Sequence, residues 1–451
     1  MKKILPILLL CLFQLSMISA QTISGKIIDK NTKKPIAFVA IYVPSLGLGT
    51  ASLKNGAFTL NTEKAIKNKD ILQFSIIGYK TQRLTLEQLK TQDYKVFLVN
   101  TYENLNEVVI NANQKLMRSL PLKKLADLPQ KTANTSSTIV NGKIHVFAGD
   151  KSFFEQPNRR IMEESTNFED FLARMRMDVT LESYSDKLQI YDIAANSWTT
   201  SEQKFRKRAF HKAVKTNNAV YLLGGKRLNL NRTAEILDNT IEVFSTKENT
   251  LEVDNTNPHQ AVNFAAVGYQ NNIITMGGST KVSKNGKKVY SDKAFVFNTK
   301  TGLWYRLPNM ITPKETNGIV VNDKIYLIGG NRDGELTEIE SFDLNSGKWT
   351  LEGDLFKGIP NAVLASFENT IFIYHPGKLL VFDTQTKLLQ EYNVDFFLEG
   401  AELQYYNNKL YLFGGVYSDK LAYTRTSKKE LFELDINDLF NTKVVRSKSL
   451  K

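Results

Sequence analysis

Between Thr22 and Ala112 apolar and polar residues alternate in short runs separated by turn residues. Ile23 to Ile28 alternates and stops at Asp29-Lys30-Asn31-Thr32, a polar turn. Phe38 to Val43, Thr50 to Ser52, Phe58 to Leu60, Ile71 to Ile77, Thr81 to Leu86 and Tyr94 to Val99 follow, with Asn55-Gly56 and Gly78 at turns. About seven short strands in about ninety residues predict a β-sandwich.

Beyond residue 112 the pattern becomes a repeat. Val220-Tyr221-Leu222-Leu223-Gly224-Gly225 recurs as Ile273 to Gly278, Ile325 to Gly330 and Leu410 to Gly415. Ile144 to Gly149 and Ile371 to Pro376 are degenerate copies. A hairpin turn precedes each of the six: Asn141-Gly142, Asn217-Asn218, Asn271-Asn272, Asn322-Asp323, Glu368-Asn369 and Asn407-Asn408. Asn, Asp and Gly tolerate the positive φ that tight hairpins need. An outer strand follows several copies and ends near a tryptophan (Trp198, Trp304, Trp349), expected to wedge between neighbouring sheets. The spacing is about fifty residues, stretched after Gly149 by an insertion. Six such units predict a closed propeller of four-stranded blades. Leu122 to Leu128 or Thr442 to Ser447 would complete the last blade, and the pattern does not choose between them.

Two resemblances follow from these residues. Ile23-Ser24-Gly25-Lys26, Asp29, Pro35, Asn55-Gly56-Ala57-Phe58, Ile77-Gly78-Tyr79-Lys80 and Asn106 to Ile110 resemble the carboxypeptidase-regulatory-like domain of exported proteins from Bacteroidetes-type bacteria. The resemblance implies a transthyretin-like sandwich. In that group the domain often precedes an outer-membrane receptor barrel, but no series of membrane strands follows here, so a spacer or scaffold role is expected. The six hairpin–glycine copies resemble the kelch repeat family over about residues 120 to 451. The expected class is all-β: a seven-stranded sandwich, then a six-bladed kelch propeller. The boundaries are 1–20 signal peptide, 21–112 sandwich, 113–135 linker or closing strand, and 136–451 propeller.

Composition adds the compartment. Lys2 and Lys3 precede an apolar run from Ile4 to Leu15 and a small-residue site at Ser19-Ala20, the pattern of a cleaved signal peptide. No later stretch has the length of a membrane helix. The expectation is an exported chain in the periplasm, at the outer membrane or outside. Cys11 is the one cysteine and lies in that signal, so no disulfide, thiolate metal site or cysteine nucleophile is expected afterwards. Leu10 precedes it where a lipoprotein signal wants a smaller residue. The net charge of +13 suits an anionic glycan or envelope protein, but no block of like charges suggests nucleic-acid binding.

In a kelch ring the blade-to-blade connections and the loops after the glycine pair share one face. The longest are Asp150 to Asp186, Lys226 to Asp238, Ser279 to Asp292 and Tyr417 to Lys429, and long loops on a rigid scaffold are where binding concentrates. Phe168 to Met175 in the first reads as a short helix placed to cap the channel. The ligand-binding candidates on this face are Arg206, Arg208, His211, Arg227, Arg232, His259, Lys314, Asn317, Arg332, Glu402, Tyr417 and Arg425. Guanidinium groups suit a carboxylate or sulfate; equally, they tie blades together through acidic neighbours. Asn331-Arg332-Asp333-Gly334 begins like a calcium loop but lacks the remaining carboxylates, so it reads as a turn. No zinc, nucleophile-elbow or phosphate-loop motif occurs, and no cofactor or metal is expected. The leading reading is a binding scaffold for a glycan or envelope protein. The second is a sugar isomerase: the blade architecture and basic funnel look like sialic-acid mutarotases, though no catalytic residue carries over.

Overall fold

The computed structural model describes residues 21–37, 39–62, 64–76, 79–99, 116–216, 219–231, 234–282, 287–419, 421 and 423–450. The signal segment with Cys11, the Asn106 to Ile110 tail, the Asn217-Asn218 turn and Arg232 lie outside them. The chain divides into two compact units, Met1–Gln114 and Lys115–Lys451. Among the described residues no helix is long and apolar enough to cross a membrane.

Among its described residues the first unit is a seven-stranded sandwich. Gln21–Asp29 lies between Ala57–Thr62 and Lys95–Leu98 in one sheet. Ala40–Val43, Leu48–Ala51, Ile71–Ser75 and Gln82–Thr85 form the other. The period-two pattern sends Ile23, Ile27, Phe58 and Leu60 inward against Ile41, Val43, Leu72 and Phe74. Gly25 is required there, because a Cβ would lie 2.3 Å from the Tyr94 carbonyl oxygen and 2.7 Å from the Phe58 ring. The alternation ending at Leu86 does not continue as strand. Leu86–Thr91 turns into a helix, because Thr85 and Gln88 form a reciprocal capping box around its first turn.

The second unit is a ring of six blades. Their innermost strands begin at Ser136, Lys212, Ala265, Glu315, Val363 and Glu402, and each sheet runs outward through the apolar strand of the repeat. Six buried apolar clusters lie between them, one at each blade–blade interface. The core is thus a cycle of nearest-neighbour contacts, as in other repeat folds. The tryptophans wedge as expected. Trp198, Trp304 and Trp349 pack at a tilt against Tyr191, Phe297 and Phe342 of their own blades, with ring centres 4.9–5.0 Å apart. Trp304 also joins the cluster holding Val214 and Leu223 of the preceding blade.

The glycine pair makes the joint. The second glycine donates its N–H to the carbonyl at the start of the next blade: Gly149 to Arg208, Gly225 to Ala261, Gly278 to Lys314, Gly330 to Ile359 and Gly415 to Thr132, at 2.8–3.0 Å. These glycines have φ between +81° and +122°, a region L-residues avoid. A Cβ on Gly330 would sit 2.0 Å from the Glu315 carbonyl oxygen. The fifth blade has His375-Pro376 instead. There the Tyr374 hydroxyl donates to the carbonyls of Phe396 and Leu398 at 3.0 and 2.9 Å, replacing the missing amide.

The ends of the unit settle the closing strand. Lys123–Lys124 pairs with Leu431–Asp435 as the fourth strand of the sixth blade. Arg446–Ser449 instead adds a fifth strand to the fifth blade beside Leu388–Asn393. Arg446 anchors it by a two-pronged contact with Glu391, and Leu450 is buried against the preceding interface.

Candidate functional site

Antiparallel pairing puts the start of each innermost strand and the loop after each glycine pair at the same end of the ring. Bridges between Ala133 and Asp150, Ala209 and Lys226, Val262 and Ser279, and Glu399 and Val416 tie the two in four blades. On the axis at this end lies a cavity of about 40 Å³. Its lining comes from every blade: Thr135; Phe210, His211 and Lys212; Asn263; Asn317; Asn361 and Val363; Ala401 and Glu402. Asn134, Phe210, Asn263 and Gly400 occupy one repeated position at φ of +45° to +59°. That turn directs backbone groups to the adjoining blade. Asn134 N–H donates to Gly400, Phe210 N–H to Asn134 and Thr316 N–H to Asn263, at 2.8–3.0 Å.

Three polar side chains from alternate blades converge on the axis. Lys212 Nζ donates to Asn317 Oδ1 at 3.0 Å, and Asn317 Nδ2 donates to the Ala362 carbonyl at 2.9 Å. Glu402 Oε2 accepts the Ser137 hydroxyl at 2.5 Å. Burial pushes the Glu402 carboxyl up to about 7, against the opposing pull of Ser137 and Lys212. Burial also lowers the Lys212 ammonium, with Glu402 partly restoring it. His211 is buried, and neither ring nitrogen has a hydrogen-bond partner of normal geometry. Burial, then Arg208 and Lys212, holds it neutral, well below its ordinary range.

Asn317, Glu402 and His211 therefore meet on the axis, together with Lys212, which the sequence reading did not single out. Other cations expected at the funnel are paired elsewhere. Arg208 is fully buried, with its guanidinium on Glu242 and on the Thr240 carbonyl at 3.0 Å. Arg206 Nε binds Asp238 at 3.1 Å, and Lys314 pairs with Glu340 at 2.9 Å in the blade wall. His259 Nε2 meets the Gly277 carbonyl at 2.7 Å between Phe264 and Phe295, and burial brings it down to about 4. Arg227 is half-buried in the Lys226–Leu228 strand, and Arg332 is exposed in a tight turn beside Asp333. The signal for Arg208 and Lys314 was present: each aligns with a glutamate at one repeated third-strand position, opposite Leu222 and Leu327.

The loops make a raised rim. Asp150 to Asp186 holds two helices, Pro157–Glu164 and Phe168–Arg174, where one was expected. No residue of this insert lines the axial cavity. Its strands Phe153–Glu155 and Val179–Leu181 instead join Val416–Asp419 and Thr424–Ser427 of the sixth blade in one four-stranded sheet. This sheet carries Tyr417, under the Lys428 ammonium at 5.1 Å, and the exposed Arg425. Tyr184 of the insert donates to Glu235 of the second-blade hairpin, so three loops are linked.

Residues 23–110 match the CarboxypepD_reg-like domain, and residues 178–374 match the KLHDC2/KLHL20/DRC7 Kelch-repeats domain. Kelch-like protein 41b of Danio rerio is 28% identical over 174 residues, 37% of this chain and 27% of that protein. Alpha-scruin of Limulus polyphemus is 25% identical over 166 residues, 36% of this chain and 18% of that protein. The chain thus spans about a quarter or less of these relatives. The solved structure of YjhT superposes with a TM-score of 0.53 at 11% identity, over 72% of this chain and 99% of the other, a likeness of fold. The chain thus joins a CarboxypepD_reg-like domain to a kelch-repeat domain folded as a propeller.

Proposed function

We propose that this protein is an exported binding scaffold whose propeller presents its long-loop face to a protein partner in the cell envelope. One observation carries the reading. Scattered exposed apolar residues are ordinary on any surface, but a concentration of them marks an interaction site. Met162, Phe168, Leu172, Met175, Met177 and Leu181 are all exposed on the first-blade insert, Met177 to 87%. Leu230 and Leu421 extend the same rim at 99% and 86%. Solvation of these side chains is unfavourable, and a partner that covers them recovers that free energy. Methionine suits such a surface because its flexible chain adapts to different shapes.

An acidic-sugar isomerase is the second reading, and Lys212, His211 and Glu402 around the axial cavity favour it. The volume opposes it. About 40 Å³ is far below the roughly 300–1,000 Å³ of pockets that enclose small organic molecules.

The test places a photo-crosslinking residue at Met177 or Leu230 in the full chain in its native cells. A discrete adduct is expected, lost when Met162, Phe168 and Met177 are changed together to serine in a protein with unchanged unfolding. No adduct from either position sinks the partner reading. Acceleration of sialic-acid anomer exchange, abolished in Glu402→Gln, would replace it with the isomerase.

A further inference from the structure

We infer that the sheet shared by the first-blade insert and the sixth-blade hairpin carries a saccharide site, separate from the axis. Across this sheet Phe154 lies in register with Thr180 on one side and Arg425 on the other, and Arg425 with Ser418. Side chains directly opposite on antiparallel strands share a face about 5 Å apart. The row Thr180–Phe154–Arg425–Ser418 therefore presents an aromatic ring and a guanidinium flanked by two hydroxyls. A groove of about 330 Å³ is lined by Phe154 and Arg425 at the centre of this row, together with Gln156, Asp419, Tyr423 and Thr424. That volume falls in the range that holds a small organic ligand.

The chemistry selects the ligand class. A pyranose has a C–H face that packs on an aromatic ring and equatorial hydroxyls that need donors and acceptors. Phe154 and Tyr423 supply the apolar surface. Tyr423 is held in place, since its hydroxyl donates to Glu163 and the Arg159 guanidinium sits 5.8 Å from its ring centre. It does so from a left-handed backbone at φ +51°, a conformation uncommon outside glycine. Arg425 is exposed and lines the groove, so its guanidinium donors are available to a ligand there. Asp419 lines the same groove. One cation and one carboxylate favour an uncharged sugar over an anion.

Saturation-transfer NMR on the full chain, using the methyl β-glycosides of glucose, galactose and mannose with methyl glucuronide as the charged control, tests this. At least one neutral glycoside is expected to bind, with affinity falling about tenfold in Phe154→Ala and in Arg425→Ala. Both side chains are partly or fully exposed, so both variants are expected to fold, and unchanged thermal unfolding checks this. The inference is overturned if no neutral glycoside binds, if the glucuronide binds more tightly than all three, or if Phe154→Ala leaves binding intact. The serine substitutions at Met162, Phe168 and Met177 leave the row in place, so glycoside binding survives a failure of the protein-partner reading.

Discussion

Blades two and four solve with charge a packing problem that blades five and six solve with hydrocarbon. The carbonyl that receives the joint hydrogen bond belongs to Arg208 and Lys314 in the first pair, and to Ile359 and Leu398 in the second. The third-strand position is Glu242 and Glu340 in the first pair, and Leu380 and Phe432 in the second. Charged pairs with charged, apolar with apolar. The fold therefore requires complementarity at this joint, not a particular residue. A cation near a propeller axis is thus not by itself a ligand contact. The informative cation is one that no buried acid of its blade receives, such as the exposed Arg425.

Breaking one member of a charged joint should have the largest effect. Arg208→Met leaves Glu242 buried and unpaired, and a loss of about 3–5 kcal/mol in urea unfolding is expected. Arg208→Met with Glu242→Leu copies the apolar joint and should recover most of that loss. If the double variant is as unstable as the single, the two joints are not equivalent. Next comes Tyr374→Phe, which strips the substitute donor from the fifth blade. Its cost should be about 1–3 kcal/mol, because the Leu398 carbonyl loses its donor while Phe396 keeps the Gly377 N–H.

The axial acid should show itself through pH. The folded Glu402 carboxyl titrates at about 7, above its ordinary 4.5. Between those values the folded chain binds the extra proton, so this group makes stability fall as pH rises through the window. Glu402→Gln removes that slope. Its stability relative to the parent should improve between pH 5 and pH 7.5 by on the order of 2 kcal/mol, measured by paired urea titrations. A constant difference across the window would mean that burial does not raise the Glu402 carboxyl above its ordinary range. Arg332→Ala should be the quietest, changing stability by less than about 0.5 kcal/mol, because its side chain is exposed in a turn.

The repeat was legible because it is periodic: six hairpin–glycine copies give the ring, and alternation gives the sandwich. The glycine joint was foreshadowed by the glycine pair itself, but its replacement by Tyr374 was not. A hydroxyl that reaches two carbonyls 22 and 24 residues away leaves no local pattern. The fate of Arg208 was hidden for a related reason. Its partner is 34 residues on, and only the aligned repeats show that cation and glutamate arrive together. The choice between Lys123–Lys124 and Arg446–Ser449 was open because both are short polar strands, and each found a different blade edge. Nor does sequence adjacency join the Phe154 row, which is assembled from residues more than 200 positions apart.

The closing strand sets a clock. Lys123–Lys124 is made first and its blade last, so it waits through the synthesis of some three hundred residues before Leu431–Asp435 exists to receive it. Until then the unit is an open arc with a raw blade face at each end, one from the first blade and one from whichever blade is newest. Such exposed surfaces are where nascent chains aggregate. Any truncation that removes the sixth blade would leave the arc permanently open, and a circular permutant cut at the Asn322-Asp323 turn would move the wait to another joint at the cost of the contacts that turn makes.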